Sequence, residues 1–252
     1  MSYILFFDSG LGGLSVLREA LKQHPEENYI YFADNANIPY GDKDTDTIRR
    51  LTTKAIGEVF TKYPVKAITV ACNTATSAAI TKLREIYSDI PVLGIEPALK
   101  PAAERHPNGT IGVMATMNTL REKKFLDLLA RFSSDAKITP IPCSGLVDFV
   151  EKGILKGEEL KDFLQSIFEQ YNERYDALVL GCTHYPFVKD AIADVFGCED
   201  IIDGAKGTVN NLFRRLDMSP SSSDASKKGE IIFINSANKK DFEEDAIKLL
   251  NS

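Results

Sequence analysis

Short apolar runs alternate along this chain with longer segments in which hydrophobic residues recur every three or four positions. Such runs are typical of buried parallel strands, and the longer repeat is typical of amphipathic helices. The predicted strands cover residues 3–7, 29–33, 67–71, 91–94, 110–114, 137–141, 177–180, 200–202 and 230–234. The predicted helices cover residues 14–23, 45–63, 75–87, 96–106, 120–132, 143–152, 158–174, 185–196, 205–216 and 239–250. This strand–helix alternation predicts parallel α/β sheets.

The order of elements begins again near residue 110, which predicts two similar halves. Cys72 lies 64 residues after Asp8, and Cys182 lies 66 residues after Thr116. We therefore predict two pseudo-symmetric parallel-sheet α/β halves with the active site in the cleft between them. The first half is predicted to comprise residues 1–94 plus 206–252 and the second residues 95–205. Residues 219–228 are of low complexity and rich in Ser, and they are predicted to form a flexible surface loop.

Composition and charge exclude several classes of protein to which the chain could belong. A chain of 252 residues with 44% hydrophobic and 26% charged residues is ordinary for a globular protein. Its net charge of −6 argues against a general nucleic-acid surface. The apolar runs are too short to span a membrane, and the N-terminus lacks the basic region of a signal peptide. The four cysteines form no CxxC motif, which indicates reduced thiols in the cytoplasm.

Two of the predicted strands end in the same way, with a thiol followed by polar side chains. Cys72 is followed by an Asn and a Thr, and Cys182 by a Thr and a His. In open α/β sheets the carboxyl ends of the strands form the edge where ligands bind. Two equivalent thiols suit a symmetrical reaction such as racemisation at a carbon next to a carboxylate. One base removes the proton from one face, and an acid returns a proton to the other.

Polar neighbours of the two thiols supply candidates for proton transfer and for binding. Asp8 is the candidate partner of Cys72, although an Asp in such a turn is commonly a helix cap. His184 is the candidate partner of Cys182, oriented by a carboxylate such as Glu151. The amides and hydroxyls that could bind carboxylate and ammonium groups belong to Ser9, Asn73, Thr74 and Thr183.

Other interpretations of the cysteines stay open at this point. A lone Cys is commonly a small buried hydrophobe, and we adopt that interpretation for Cys143 and Cys198. Cys182 and His184 could ligate a metal, although no further Cys/His cluster in the sequence supplies the remaining ligands. They could also form a nucleophilic Cys–His pair, which leaves Cys72 unexplained. A disulfide is disfavoured in the cytoplasm.

Several stretches together resemble one known family. They are residues 7–17, 39–41, 70–75, 94–97, 111–116 and 180–186. With them the chain resembles the glutamate racemases of the cofactor-independent aspartate/glutamate racemase superfamily over essentially its whole length. The specific part of this resemblance is the pair of cysteine motifs, Cys-Asn-Thr-Ala at 72–75 and Gly-Cys-Thr-His-Tyr-Pro at 181–186.

The resemblance implies interconversion of L- and D-glutamate by two bases, without a cofactor or a metal. It implies that Cys72 handles the proton of D-glutamate and Cys182 that of L-glutamate. Asp8 and His184 would be their helpers, and Glu151 matches a family glutamate near the second thiol. The positions implied to contact the substrate are Asp8, Ser9, Tyr40, Gly41, Asn73, Thr74, Thr116, Thr183 and His184.

The resemblance also implies a biological setting. Members of the family supply D-glutamate for peptidoglycan, and hence for cell wall biogenesis and cell shape, in the bacterial cytoplasm. They are commonly dimers, so a homodimer acting on a small-molecule substrate is expected, with no nucleic-acid or membrane partner. Two alternatives remain: a racemase for another acidic amino acid, aspartate above all, and a non-catalytic binding relative.

Overall fold

A computed structural model describes residues 2–218 and 228–252 of the chain. It divides into two compact units: Met1–Ile95 with Ala205–Ser252, and Glu96–Gly204. Each unit is built around its own parallel sheet, which confirms the predicted α/β class with two parallel-sheet halves. The loop predicted at 219–228 lies outside the described residues except for Lys228.

The strands alternate with helices throughout both units. In chain order the strands are β1 (Tyr3–Asp8), β2 (Tyr29–Ala33), β3 (Val65–Val70), β4 (Val92–Gly94), β5 (Thr110–Ala115), β6 (Lys137–Pro142), β7 (Ala177–Leu180), β8 (Ile201–Asp203) and β9 (Ile231–Asn235). The helices are α1 (Leu14–Gln23), α2 (Thr45–Phe60), α3 (Asn73–Ile86), α4 (Leu99–Arg105), α5 (Met117–Arg121), α6 (Lys123–Phe132), α7 (Leu146–Glu151), α8 (Glu158–Phe168), α9 (Lys189–Phe196), α10 (Ala205–Arg215) and α11 (Phe242–Leu250). Short 3-10 helices span Tyr40–Asp42 and Tyr185–Val188.

The two sheets share one strand order. The first unit has the order β4-β3-β1-β2-β9, and the second has β6-β5-β7-β8. Read from the opposite edge, β8-β7-β5-β6 matches β4-β3-β1-β2, and β9 extends the first sheet beyond β2. The amide of Ala71 donates to the carbonyl of Phe7 at 2.7 Å, and the amide of Gly181 donates to Met114 at 2.7 Å. Cys72 and Cys182 therefore follow equivalent central strands, β3 and β7.

The core of the first unit explains why the sequence of β1 is an unbroken apolar run up to Asp8. All six residues of β1 are buried, because helices cover both faces of the sheet. Side chains of β1 such as Leu5 and Phe7 pack in one cluster with Ile56 of α2 and Ala79 of α3. Burying one such large aliphatic or aromatic side chain contributes about 1.5–3 kcal/mol. This packing holds Asp8, the last residue of β1, at the carboxyl edge of the sheet.

Several predicted helix boundaries are wrong. The helix predicted at 120–132 is two helices, because Glu122 adopts an extended backbone (φ −67°, ψ 138°) between α5 and α6. The helix predicted at 185–196 begins as a 3-10 turn, and the last residue of that turn, Val188 (φ −118°, ψ 21°), is the N-cap of α9. The helices predicted at 96–106, 143–152 and 158–174 are shorter, as α4, α7 and α8. Hydrophobic periodicity continues across a single non-helical residue and so does not reveal such a break.

Within the described ranges, 2–218 and 228–252, no helix is long and apolar enough to cross a membrane.

Candidate active site

The first thiol lies at the start of a helix. Cys72 adopts an extended backbone (φ −90°, ψ 124°) and is the N-cap of α3, where its Sγ accepts the amide of Ala75 at 3.4 Å. The hydroxyl oxygen of Ser9 lies 3.6 Å from the same sulfur. Backbone amides at a helix N-terminus stabilise negative charge, so this is a favourable position for a thiolate.

Asp8 is a buried carboxylate at the end of β1. Its Oδ1 accepts the amide of Gly10 at 2.7 Å, and the side chain is fully buried. The N-cap of α1 is Gly13, which makes no side-chain capping bond. Asp8 therefore does not occupy the N-cap position of α1.

The first turn of α3 carries two further candidate binding residues, Asn73 and Thr74. Both side chains are buried. The Oδ1 atom of Asn73 is buried and has no hydrogen-bond partner among the described residues. A buried polar atom without a partner is costly, and a bound donor such as an ammonium group would satisfy it.

Tyr40 and Gly41 lie in the short 3-10 helix Tyr40–Asp42. The Tyr40 hydroxyl donates to Oδ2 of Asp34 at 2.6 Å, and Nδ2 of Asn37 donates to both oxygens of Asp34 at 2.9 and 3.1 Å. Burial, together with the bond to the Asp34 carboxylate, raises the pKa of Tyr40 strongly. The phenol therefore stays neutral and acts as a donor.

Asp34 is a buried residue of this region that the sequence analysis missed. It follows β2 directly, as Asp8 closes β1, and it is 3% exposed. Its amide donates to the carbonyl of Asp8 at 2.9 Å, so the two acidic residues lie on adjacent strand ends. The signal that could have found it was the same as for Asp8, a carboxylate immediately after an apolar strand.

The second thiol belongs to a chain of three side chains. The Sγ atom of Cys182 lies 3.6 Å from Nδ1 of His184, and Nε2 of His184 lies 2.7 Å from Oε1 of Glu151. Glu151 is the last residue of α7. Burial alone would lower the pKa of His184, but its contacts with Cys182 and Glu151 outweigh burial and raise that pKa well above 6.5. The arrangement holds a proton on the ring beside the thiol.

The remaining predicted residues of the second unit lie at the same edge of its sheet. Thr116 is the N-cap of α5, where its Oγ1 accepts the amide of Thr119 at 3.3 Å. Thr183 follows Cys182 and is buried. Both positions are at the carboxyl ends of β5 and β7, where α/β sheets bind ligands.

Cys143 and Tyr185 were not predicted to belong to this site. The Tyr185 hydroxyl donates to the carbonyl of Cys143 at 3.1 Å, and the Cys143 thiol donates to the carbonyl of Ile141 at 3.3 Å. Burial, with the nearby Cys182, raises the pKa values of both groups. Cys143 is therefore a neutral buried thiol, in line with its predicted structural interpretation.

The metal interpretation finds no support in the geometry. Both ring nitrogens of His184 face protein side chains, one the thiol and the other Glu151. Across residues 2–218 and 228–252, no group of three or more His, Cys, Asp or Glu side chains is arranged to hold a metal ion.

Comparisons with known proteins agree with this geometry. Residues 8–212 match the family described as Asp/Glu/Hydantoin racemase. The chain is 51% identical over 247 residues to a glutamate racemase of Clostridium perfringens, covering 97% of this chain and 95% of the relative. It is similar to the crystal structure of Escherichia coli glutamate racemase in complex with L-glutamate and the activator UDP-MurNAc-ala, with a TM-score of 0.86, 30% identity and coverage of 99% and 94%. It is also similar to a Francisella tularensis glutamate racemase in complex with D-glutamate, with a TM-score of 0.82, 28% identity and coverage of 100% and 94%.

Proposed function

This chain belongs to the Asp/Glu/hydantoin racemase family, and from that premise we propose that it interconverts L- and D-glutamate. The observation that carries the proposal is the pair of thiols at equivalent strand ends, in a chain 51% identical to a glutamate racemase. Cys72 has Ser9 and a helix N-terminus beside it, and Cys182 has His184.

The proposed mechanism uses the two thiols as a pair of bases. One thiolate takes the α-proton, and the electron pair of the broken C–H bond stays on the α-carbon as a carbanion that the adjacent carboxylate delocalises. The other thiol then gives its proton to the opposite face of that carbon. Cys72 is assigned to the proton of D-glutamate and Cys182 to that of L-glutamate. After each turnover the thiol and thiolate states have exchanged, so both sulfurs need a route to solvent protons.

We assign the helper roles to Asp8 for Cys72 and to His184 for Cys182. The raised pKa of His184 supports its role as a proton donor and acceptor beside a sulfur. Glu151 positions the imidazole through its 2.7 Å contact with Nε2. The reaction in this proposal needs no cofactor and no metal, because thiols and their partners supply both the acid and the base.

Substrate binding is assigned to the polar groups near each thiol. A carboxylate suits the hydroxyls and amides at the starts of α3 and α5, because helix N-termini attract anions. The unpaired Oδ1 of Asn73 suits the substrate ammonium group. The full set assigned to binding is Asp8, Ser9, Tyr40, Gly41, Asn73, Thr74, Thr116, Thr183 and His184.

The biological role follows from the same resemblance. We propose that the D-glutamate product serves peptidoglycan synthesis, and thereby cell wall biogenesis, in a bacterial cytoplasm. We also propose a homodimer. These assignments are supported by the resemblance to glutamate racemases such as that of Clostridium perfringens.

The test is proton NMR of the purified protein with L-glutamate in deuterated water. The α-proton signal should disappear while the optical rotation decays to zero, because each turnover replaces the α-proton with deuterium. D-glutamate should behave in the same way. Exchange with aspartate and not with glutamate would keep the mechanism and change the substrate, and exchange with neither would refute the proposal.

A further inference from the structure

We propose that the hydroxyl of Tyr31 is a positioning group for the Asp8 carboxylate, acting through the backbone of Gly10. We further infer that aromatic residues of the C-terminal segment hold Tyr31 in place. This inference rests on the proposed role of Asp8 as the proton-transfer partner of Cys72.

The connection from Tyr31 to Asp8 consists of two short hydrogen bonds. The Tyr31 hydroxyl donates to the carbonyl of Gly10 at 2.7 Å, and the amide of Gly10 donates to Oδ1 of Asp8 at 2.7 Å. Tyr31 and Asp8 are both fully buried. The amide and the carbonyl of Gly10 are joined only through its φ and ψ angles, which glycine can vary widely, so a bond that anchors the carbonyl removes one of the motions that would turn the amide away from Asp8. The Tyr31 hydroxyl therefore limits where the carboxylate can lie.

Gly13, at the start of α1, lies close to the other side of the Asp8 carboxylate. A Cβ atom on Gly13 would lie 2.7 Å from Cβ of Asp8 and 3.1 Å from its Oδ2. It would also lie 3.0 Å from Cβ of Ala71, the residue before Cys72. Asp8 thus lies between the Gly10 amide and the backbone of Gly13, with little room to move. A group that transfers protons acts faster when it is held in the reactive geometry, and this confinement would hold the Asp8 carboxylate in one position.

The ring of Tyr31 packs against the last elements of the chain. It is stacked on Phe242 of α11 with ring centroids 6.4 Å apart and an interplanar angle of 14°. Phe233 of β9 contacts the same ring at 6.4 Å with an angle of 60°. β9 and α11 therefore support the ring of Tyr31, whose hydroxyl binds Gly10 in the turn that follows Asp8.

The test compares Tyr31→Phe with Tyr29→Phe. Tyr29 lies on the same strand, is also fully buried, and donates its hydroxyl to the carbonyl of His24 at the same 2.7 Å, away from Asp8. Both variants lose a buried hydrogen bond of 2.7 Å, and Tyr29→Phe also loses a longer contact of 3.4 Å with the carbonyl of Ala20, so Tyr29→Phe should lose at least as much thermal stability. Only Tyr31→Phe should lower kcat/KM, by about tenfold, because a small misplacement of a catalytic group has a large effect on rate.

The discriminating readout is the primary isotope effect with substrates deuterated at the α-carbon. In Tyr31→Phe the isotope effect on kcat/KM should rise for D-glutamate and fall for L-glutamate, because the proton transfer at Cys72 becomes more rate-limiting. Loss of folded protein lowers the rate in both directions and leaves the isotope effects unchanged. The Tyr29→Phe control should therefore show wild-type isotope effects.

Gly13→Ala is a second variant that approaches Asp8 from the other side. It should produce the same asymmetry of isotope effects, whereas Gly207→Ala should not, since a Cβ there would meet no described atom within 4 Å. An active wild type with Tyr31→Phe indistinguishable from Tyr29→Phe would overturn this inference and leave the proposed function intact. A wild type that does not exchange the α-proton at all would overturn both.

Discussion

The imidazole Nε2 of His184 lies 2.7 Å from Oε1 of Glu151, and this contact is partly buried in the second unit. Burial by itself would lower the pKa of His184. The bonds and charges of Cys182 and Glu151 act in the opposite direction and raise it well above 6.5. Folding therefore favours the charged imidazolium, and stability should depend on pH.

The first prediction concerns Glu151→Gln. A His whose pKa is raised by folding contributes stability that is fully present below the unfolded-state pKa of about 6.5 and is lost as pH rises through the folded-state pKa. The substitution removes a cause of the raised pKa. The variant should be less stable than wild type by about 1–2 kcal/mol at pH 6, since one unit of pKa corresponds to about 1.4 kcal/mol.

The measurement for Glu151→Gln is urea unfolding at a series of pH values. The difference in the free energy of unfolding between Glu151→Gln and wild type should become smaller as pH rises through the folded-state pKa of His184. The exposed Glu159 serves as the control, because Glu159→Gln should show no such pH dependence. A difference in the free energy of unfolding that shows no dependence on pH would argue against a charged His184.

The second prediction concerns the two thiols. Cys72→Ser and Cys182→Ser should each lower the rate of racemisation by about 10²–10⁴-fold, the usual contribution of a positioned acid or base, because inversion at the α-carbon needs both thiols. Stability should change little at Cys72, because serine is a preferred N-cap and can keep the bond to the Ala75 amide. The decay of optical rotation measures the rate of racemisation, and thermal unfolding measures stability.

The control for the thiol variants is Cys198→Ser. The Cys198 thiol contacts the carbonyl of Asp200 at 3.8 Å, and a hydroxyl can make the same contact. The rate of racemisation by Cys198→Ser should equal that of wild type. Sustained turnover in either Cys72→Ser or Cys182→Ser would contradict the two-base mechanism.

The third prediction concerns the buried bond between Tyr40 and Asp34. Tyr40→Phe leaves the Asp34 carboxylate without one of its donors, so stability should fall by about 1–3 kcal/mol. A double-mutant cycle with Asp34→Asn should give a coupling energy of about 0.5–3 kcal/mol, because the two groups are in direct contact.

A second tyrosine–carboxylate pair in the first unit serves as the comparison for the double-mutant cycle of Tyr40 and Asp34. The Tyr3 hydroxyl donates to Oε2 of Glu230 at 2.7 Å in a partly exposed pair. Its coupling energy should be smaller, because water replaces a lost bond at the surface. Equal coupling in the two pairs would show that burial of Asp34 does not strengthen its bond.

The fourth prediction concerns Gly112 in β5, the strand between β6 and β7. A Cβ there would lie 2.6 Å from Cδ2 of Leu178 and 2.9 Å from Cδ1 of Ile141. Gly112→Ala should lower the free energy of unfolding by about 1–3 kcal/mol through overpacking. Gly207→Ala is the matched control and should be neutral or stabilising by up to about 1 kcal/mol, as a Gly within a helix. An unchanged unfolding midpoint for Gly112→Ala would mean that the neighbouring side chains move aside at no cost.

Local pattern was enough to predict the strands and the fold class. The run at β7 is apolar over its whole length because both faces of a parallel sheet are covered. The polar residues that follow β3 and β7 were therefore recognisable as candidates for a ligand site, since the end of an apolar run marks the edge of the sheet. The helix break at Glu122 was not predictable, because its neighbours keep the helical repeat.

The sequence by itself determined the alternation of strands and helices, the two equivalent cysteines and the polar residues beside them. Only the tertiary structure decided which side chains meet. Tyr31 reaches Gly10 across 21 residues and Glu151 reaches His184 across 33, because strand pairing and helix packing bring those segments together. A hydrogen bond depends on distance and direction in space, whereas the hydrophobic pattern depends only on which face of each element is buried.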